Sequence, residues 1–125
     1  MNAAVLDAGA LIALERGSQR MLALLVVLTR DQRQAYVPAG VVAQVWRGSA
    51  RQHHLARLLA TDAVSADTMD EATARAVGVL LGRSGASDVV DGHVALLGLR
   101  TRGTVLTSDA EDIRRIAPGL DIVPV

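Results

Sequence analysis

Four aspartates stand where apolar runs of the sequence end. They are Asp7 in VLDAG, Asp88 and Asp91 in SDVVDGHVA, and Asp109 in VLTSD. An aspartate at the start of a helix can accept hydrogen bonds from free backbone N–H groups, and this capping explanation is open for Asp7, Asp88 and Asp109. Asp91 differs from these three because valines surround it. A carboxylate without a ligand or hydrogen-bond partner costs free energy in apolar surroundings. The position of Asp91 therefore favours a functional role over a purely structural one.

Several carboxylates brought into one crevice would repel one another unless a cation neutralised them. Hard oxygen ligands suit Mg²⁺ or Mn²⁺, and such ions support the attack of water on a phosphodiester. If folding gathers Asp7, Asp91 and Asp109, the sequence predicts a Mg²⁺ (or Mn²⁺) site with these three as metal ligands and catalytic residues. Thr107 and Ser108 could hydrogen-bond a water there, although strand propensity and turn formation explain them as well.

Short apolar runs alternate with helical patterns and predict the elements that carry these acids. Strands are predicted at 3–6, 35–37, 63–65, 104–107 and 121–123. Helices are predicted at about 10–17, 18–30, 41–48, 50–60, 68–83, 88–102 and 110–117. Ser18 is the expected N-cap of the second helix and Thr68 that of the fifth, with Glu71 in a capping box. The apolar run at 21–28 predicts a core helix.

This alternation predicts an α/β fold, a three-layer α/β/α sandwich with a central parallel sheet. Ligand sites of such sheets lie at the carboxyl ends of the strands, where Asp7 and Asp109 both fall. The length of 125 residues and the absence of an internal repeat predict a single domain over residues 1–125.

The amino-acid composition of the chain excludes several classes of function and of binding site. Thirteen basic residues balance thirteen acidic ones, so any nucleic acid would have to be bound locally. No cysteine is present, which excludes disulfides, thiolate metal ligands and cysteine nucleophiles. The chain has no apolar run near the roughly 18 residues of a membrane span, and no basic segment precedes its first apolar run. We therefore expect a cytoplasmic protein without a membrane segment.

The basic residues other than histidine are all arginines. Arg47, Arg51 and Arg57, with His53 and His54 between them, could form a rim that holds RNA phosphates. A solvated helix face explains the same residues equally well. The lack of lysine argues against a receiver domain of two-component signalling, which has a similar length and acids at strand ends but needs a lysine near its phosphoacceptor.

Two further side chains have ordinary explanations. His93 follows Asp91 by two residues, so it points away from Asp91 on a helix and is expected to be a partly buried or surface histidine. Trp46 is expected in the core or in a dimer interface, since a single aromatic residue beside helical valines needs no other explanation.

The motifs VLDAGALIALERG, VPAGVVAQVWRG, SDVVDGHVALLG and VLTSDAEDI together resemble the PIN-domain ribonucleases, most closely the VapC toxins of type II VapBC toxin–antitoxin pairs. The resemblance spans the chain in order. It implies a PIN-like fold in which Asp7, Asp91 and Asp109 are the catalytic and metal-binding acids and Asp88 and Asp112 support them. It further implies a homodimeric, Mg²⁺- or Mn²⁺-dependent endoribonuclease that hydrolyses RNA phosphodiester bonds and is silenced by a VapB-type antitoxin.

Gln44 departs from the family pattern, which usually has Glu at this position. An amide is neutral and cannot act as a base, although its oxygen can accept a hydrogen bond from a metal-bound water. With Gln44 as a supporting residue, we expect weakened metal binding that Gln44→Glu would strengthen. The alternative function is a PIN-like module with weakened or no nuclease activity that binds antitoxin or RNA. The apolar segments 11–14 and 21–28 are candidates for part of the antitoxin groove.

Overall fold

The computed structural model describes residues 3–125 as five strands and seven α-helices, with one short 3-10 helix. The strands are β1 (Ala3–Leu6), β2 (Gln34–Pro38), β3 (Val64–Asp67), β4 (Thr104–Thr107) and β5 (Asp121–Pro124). The α-helices are α1 (Ala8–Glu15), α2 (Gln19–Arg30), α3 (Ala39–Val45), α4 (His53–Leu59), α5 (Glu71–Ser84), α6 (Val89–Thr101) and α7 (Ala110–Ile116), and the 3-10 helix is Ala50–Gln52.

The five strands form one parallel sheet in the order β3-β2-β1-β4-β5. From β1 the chain steps to β2 and β3 on one side, then returns past β1 to β4 and β5 on the other. Because crossover connections between parallel strands are right-handed, the helices that connect the strands on the two sides of β1 cover opposite faces of the sheet. Accordingly α1 packs with α2, α3 and α4, while α5, α6 and α7 pack with one another. The predicted three-layer α/β fold with a central parallel sheet is confirmed.

The core is centred on β1 and β4, whose residues are all buried. Strands covered on both faces need apolar side chains on both, which explains why Val5 and Leu6 lie beside Val105 and Leu106 without alternation. Helix α6 packs against β1, β2 and β4 and is buried without interruption from Gly92 to Gly98. No helix of the described part of the chain has the length and apolar composition that a membrane crossing requires.

Most element bounds agree with the sequence pattern, and Ser18 caps α2 by accepting a hydrogen bond from the Met21 N–H. The prediction that Thr68 caps α5 is wrong. Asp70 is the N-cap, and its Oδ1 accepts a hydrogen bond of 2.8 Å from the Thr73 N–H. Glu71 is therefore the first residue of the helix and forms no capping box. The physical reason is that aspartate is the stronger cap and stands directly before the helix.

The expected core helix at 21–28 is buried only in part. Met21 and Leu28 are inside, whereas Leu22 is 42% exposed and Val26 65% exposed. Helix α2 thus packs one apolar side on the core and leaves other apolar side chains open to solvent. A continuous apolar run cannot distinguish these cases, because it has apolar residues on every face of the helix.

Candidate metal centre

Asp7 lies at the point where β1 becomes α1. Its backbone N–H donates to the carbonyl of Leu106 at 3.0 Å, so it extends β1 by one residue along β4. The side chain is 3% exposed. Its Oδ1 accepts a hydrogen bond from the Ala8 N–H at 2.7 Å, and its Oδ2 accepts one from Thr107 Oγ1 at 2.6 Å. The residue caps α1, yet each carboxylate oxygen keeps a further lone pair for another ligand.

Asp109 stands at the N-cap position of α7, two residues after β4, but its side chain forms no capping hydrogen bond. Its backbone N–H instead donates to Thr107 Oγ1 at 2.9 Å. The capping explanation that the sequence left open for Asp109 is therefore not borne out. The exposed carboxylate has no hydrogen-bond partner among residues 3–125 that would account for it.

Asp88 and Asp91 have different places at the start of α6. Asp88 is the N-cap, and its Oδ1 accepts a hydrogen bond of 3.0 Å from the Asp91 N–H. Asp91 lies in the first turn and is half-buried. The capping role of Asp88 is thus observed, and through it Asp88 fixes the backbone from which the Asp91 side chain projects.

The fold brings three of these carboxylates together. One carboxylate oxygen each from Asp7, Asp91 and Asp109 lies within 4.8 Å of the other two. Asp7 follows β1 and Asp109 follows β4, and between these adjacent strands the connections turn in opposite directions. Such a switch point is where an open parallel sheet leaves a crevice at the carboxyl ends of its strands.

Burial and mutual repulsion raise the pKa values of two carboxylates in the cluster. Burial, followed by repulsion from Asp88, Asp7, Asp109 and Asp112, raises the pKa of Asp91 to about 7. Burial, followed by repulsion from Asp7, Asp112 and Asp88, also raises the pKa of Asp109. Oxygen ligands that repel one another at short range suit a hard dication such as Mg²⁺ or Mn²⁺, which would also displace the proton of Asp91. The donor set therefore fits a divalent metal ion.

The remaining acid predicted to support the site, Asp112, borders the same region. A hollow of about 230 Å³ beside the cluster is lined by Asp88, Asp91 and Asp112, with Arg115 also in its wall. Ser108 is exposed in the loop between β4 and α7. A methyl group at Gly9 would come within 2.7 Å of Ser108 Cβ, so Gly9 permits this loop to approach α1 closely.

Gln44 and the three predicted RNA-binding arginines are distributed over two different hollows. Gln44 lies on the exposed side of α3, in a hollow that it shares with Arg47 and Arg51. Arg57 lines a separate, mostly apolar groove together with His54. The rim expected from sequence is therefore divided. Two further members of the Gln44 hollow, Arg16 and Gln52, had no local sequence signal, because they come from other elements that only the fold brings there.

His93 is fully buried, contrary to the expectation of a partly buried or surface residue. Its Nε2 lies 2.7 Å from Asp67 Oδ2, at the end of β3, and its Nδ1 has no partner within the described chain. The contact joins α6 to the sheet. Sequence could not reveal it, because the partner is 26 residues away.

No protein-family model matches the chain, and no curated protein matches it either. Solved structures with a similar fold include FitAB bound to an IR36 DNA fragment, at 16% sequence identity and a TM-score of 0.67, covering 97% of this chain and 94% of the other. VapBC2 from Rickettsia felis, bound to a DNA fragment from their promoter, is 14% identical with a TM-score of 0.70, covering 98% of both chains. FitAcB from Neisseria gonorrhoeae is 18% identical with a TM-score of 0.63, covering 95% of both. The fold is shared over nearly the full length of each chain.

Proposed function

We propose that this chain is a single PIN domain over residues 1–125 that acts as a divalent-metal-dependent endoribonuclease, the toxin component of a toxin–antitoxin pair. The observation that carries the proposal is the group of Asp7, Asp91 and Asp109, with ligand oxygens within 4.8 Å of one another at the switch point of the sheet. The four PIN-like sequence motifs and the fold shared with chains of the VapBC2 and FitAB complexes support it.

In this proposal Asp7, Asp91 and Asp109 would hold Mg²⁺ or Mn²⁺. When bound, the ion supplies the positive charge that activates a water molecule and stabilises the charge developing on the phosphodiester. The chain's own residues orient the site: Thr107 holds Asp7 through its hydroxyl, and Asp88 holds the backbone of Asp91. With water as the nucleophile, the RNA products would carry a 3′-hydroxyl and a 5′-phosphate, as the resemblance to the PIN-domain ribonucleases implies.

Incubation of the purified protein with total RNA and Mn²⁺ tests this function. The wild type is expected to cleave RNA, and cleavage is expected to stop with EDTA or in Asp7→Asn, which keeps the size of the side chain but removes its charge. Mass spectrometry of the products identifies their ends. If wild type and Asp7→Asn cleaved RNA to the same extent, the alternative of a PIN-like binding module without its own nuclease activity would be favoured.

We also propose that a VapB-type antitoxin binds the apolar side that α2 leaves open. A groove of about 530 Å³ between α2 and α4, the α2–α4 groove, is lined by Leu22, Leu25, Val26 and Leu58. It adjoins a second groove of about 350 Å³ that reaches Leu14 of α1. The segment 11–14 contributes less than its sequence suggested, because Leu11 is buried in the core. Arg30, Arg33 and Arg57 border the two grooves, so an acidic amphipathic helix fits them.

Co-expression with the product of a neighbouring short reading frame tests this partner. We expect Val26→Asp to abolish co-purification, because it would place a charged side chain where the groove packs against apolar side chains of the partner. Val79→Asp is the matched control, since Val79 is 52% exposed on α5, a helix that does not line the groove. Equal loss in both variants would contradict the placement of the antitoxin.

We further propose that the protein forms a homodimer, on the basis of its resemblance to the VapC toxins. Trp46 and Val89 are large apolar side chains exposed by 39% and 52%, so Trp46 is not a core residue and both are available to a second copy. Sedimentation velocity should give the mass of a dimer for the wild type. Trp46→Arg, which replaces an exposed apolar side chain with a charged one, should shift the protein towards monomer.

A further inference from the structure

The hollow that contains Gln44 is a basic site built from three separate segments. It has a volume of about 420 Å³ and lies where the end of α1 meets the end of α3 and the 3-10 helix. We call it the arginine hollow. Its polar lining consists of Glu15, Arg16, Gln44, Arg47, Arg51 and Gln52. The lining thus contains three guanidinium groups and one carboxylate, so the hollow attracts anions although the chain as a whole has no net charge.

The positive charges of the arginine hollow are not neutralised by neighbours. Within residues 3–125, the ion pairs involve Arg30, Arg75, His93 and Arg114, and none involves Arg16, Arg47 or Arg51. Glu15 lines the same hollow but lies in no ion pair of that set. Guanidinium groups that form no ion pair within the protein keep their charge available to an anionic ligand.

A buried amide holds the loop that presents these arginines. Gln52 is 4% exposed, and its Oε1 accepts a hydrogen bond of 2.7 Å from the Arg47 N–H. Its Nε2 donates to the carbonyl of Val45 at 2.8 Å, at the end of α3. Arg47 Nη1 donates to the carbonyls of Ala43 and Trp46, at 3.0 and 2.7 Å, which fixes its guanidinium group. The loop and the guanidinium group of Arg47 are thus held in place before any ligand binds.

Helix α1 connects the arginine hollow to the metal centre. Asp7 caps the start of α1, and Glu15 and Arg16 stand at its end. At about 1.5 Å of rise per residue, these residues lie roughly 12 Å along the helix from Asp7. A polymer with repeated negative charges could therefore occupy both sites at once.

We propose that the arginine hollow binds a backbone phosphate of the RNA strand, away from the scissile bond, and that Gln44 contacts the RNA rather than the metal ion. The proposal rests on the ribonuclease function proposed above and gives that function a second contact with its substrate. Gln44 suits this role because its neutral amide can donate a hydrogen bond to a phosphate oxygen, whereas Glu at the same position would repel the phosphate. An acidic protein segment fits less well, because the apolar surface that would anchor it lies in the α2–α4 groove.

Binding of fluorescein-labelled oligouridylate in EDTA, followed by anisotropy over a range of NaCl concentrations, tests the arginines without cleavage. We expect Arg51→Gln to reduce the magnitude of the slope of log K against log salt by about 0.7, and Arg16→Gln/Arg51→Gln by about 1.4. Those slopes correspond to affinities roughly 5-fold and 25-fold lower at about 0.1 M salt. Arg83→Gln is the matched control, because Arg83 is exposed on α5 and lies outside the hollow.

Equal affinities and slopes for Arg51→Gln and Arg83→Gln would overturn the proposal. So would displacement of the labelled RNA by oligoglutamate at the concentrations at which unlabelled oligouridylate displaces it, since that would assign the hollow to an acidic protein segment. Because EDTA removes divalent metal ions from the RNA-binding assay, its result is separate from that of the cleavage assay. RNA binding without cleavage would contradict the proposed nuclease activity but would still support RNA binding by the arginine hollow.

Gln44→Glu separates the two interpretations of Gln44. If Gln44 contacts RNA, this variant should bind oligouridylate several-fold more weakly in EDTA and should bind Mn²⁺ in calorimetry with the affinity of the wild type. The interpretation drawn from the sequence pattern gives the opposite result, a gain in Mn²⁺ affinity. An increase in Mn²⁺ affinity without a loss of RNA affinity would overturn the assignment of Gln44 to the hollow.

Discussion

At the scale of single residues, Thr107 determines how two of the clustered aspartates are held. Its hydroxyl donates to Asp7 Oδ2 at 2.6 Å and accepts from the Asp109 N–H at 2.9 Å. The side chain is completely buried, so no solvent replaces either bond. Because a hydroxyl has only one proton to donate, its donation is committed to Asp7. One small side chain therefore sets the relative positions of residues that follow two different strands.

Thr107→Val keeps the volume of this side chain and removes both hydrogen bonds. We expect the Mn²⁺ affinity measured by calorimetry to fall at least tenfold, as is typical when the partner of a metal ligand is lost. The free energy of unfolding in urea should fall by about 2 kcal/mol, because Asp7 loses a buried donor. Thr107→Ser retains the hydroxyl and is the control. If the Val and Ser variants bound Mn²⁺ equally well, Thr107 would not orient the site.

At the scale of elements, the depth of Asp91 depends on how closely α6 packs against α5. Gly92 follows Asp91 and faces this contact. A methyl group at Gly92 would lie 2.7 Å from Val77 Cγ1 and 3.2 Å from Leu81 Cδ2. Glycine at this position leaves room for the Val77 and Leu81 side chains, so the first turn of α6 packs closely against α5. The element that carries a proposed metal ligand is thus positioned by packing outside the metal centre.

Gly92→Ala should lower the free energy of unfolding by about 1–3 kcal/mol, because the added methyl overfills a packed contact. Gly78→Ala is a matched control in α5, where nothing lies within 4 Å of the added methyl. That variant should gain up to about 1 kcal/mol from the helix propensity of alanine. Urea unfolding measures both. Stabilisation by the two substitutions alike would show that α5 and α6 are less tightly packed than described.

At the scale of the whole molecule, the acidic cluster opposes folding when no cation is bound. Asp91 and Asp109 have folded-state pKa values above the ordinary value of 3.8, about 7 for Asp91. The folded protein therefore binds more protons than the unfolded chain between about pH 4 and pH 7, and its stability falls as the pH rises through that range. Above the folded pKa both states are deprotonated at Asp91, and its contribution no longer changes with pH. Asp70, whose pKa is lowered by a hydrogen bond from the Thr73 N–H, acts in the opposite sense but only at lower pH.

The melting temperature of the metal-free protein should therefore decrease between about pH 4 and pH 7. Asp91→Asn should remove much of this decrease, because an amide does not titrate and does not repel its neighbours. Added Mn²⁺ should raise the wild-type melting temperature more at the higher pH, where protons no longer compete with the metal ion for the carboxylates. Circular dichroism measures these changes. An equal decrease with pH in wild type and Asp91→Asn would exclude Asp91 as its source.

Much of the architecture could be predicted from the sequence because its signals are local. The bounds of β1 and β4 follow from short apolar runs, and the parallel sheet follows from the alternation of strands with helical patterns. Asp7 and Asp109 could be assigned to one edge, because parallel strands all end on the same side of a sheet. The predicted N-cap of α5 was wrong, since Thr68 and Asp70 can both cap a helix and the sequence pattern left the first residue of the helix open by a few positions.

What the tertiary structure decided depends on contacts between residues far apart in the chain. Thr107 meets Asp7 across 100 residues, and Arg16 joins Gln44 and Arg51 from a different helix. Such contacts are set by the order of the strands and by the packing of their helices, which no short window of sequence contains. The aspartates that could hold a metal ion were therefore visible in the sequence, whereas the hydroxyl that aligns two of them and the arginine hollow became visible only once the sheet was assembled.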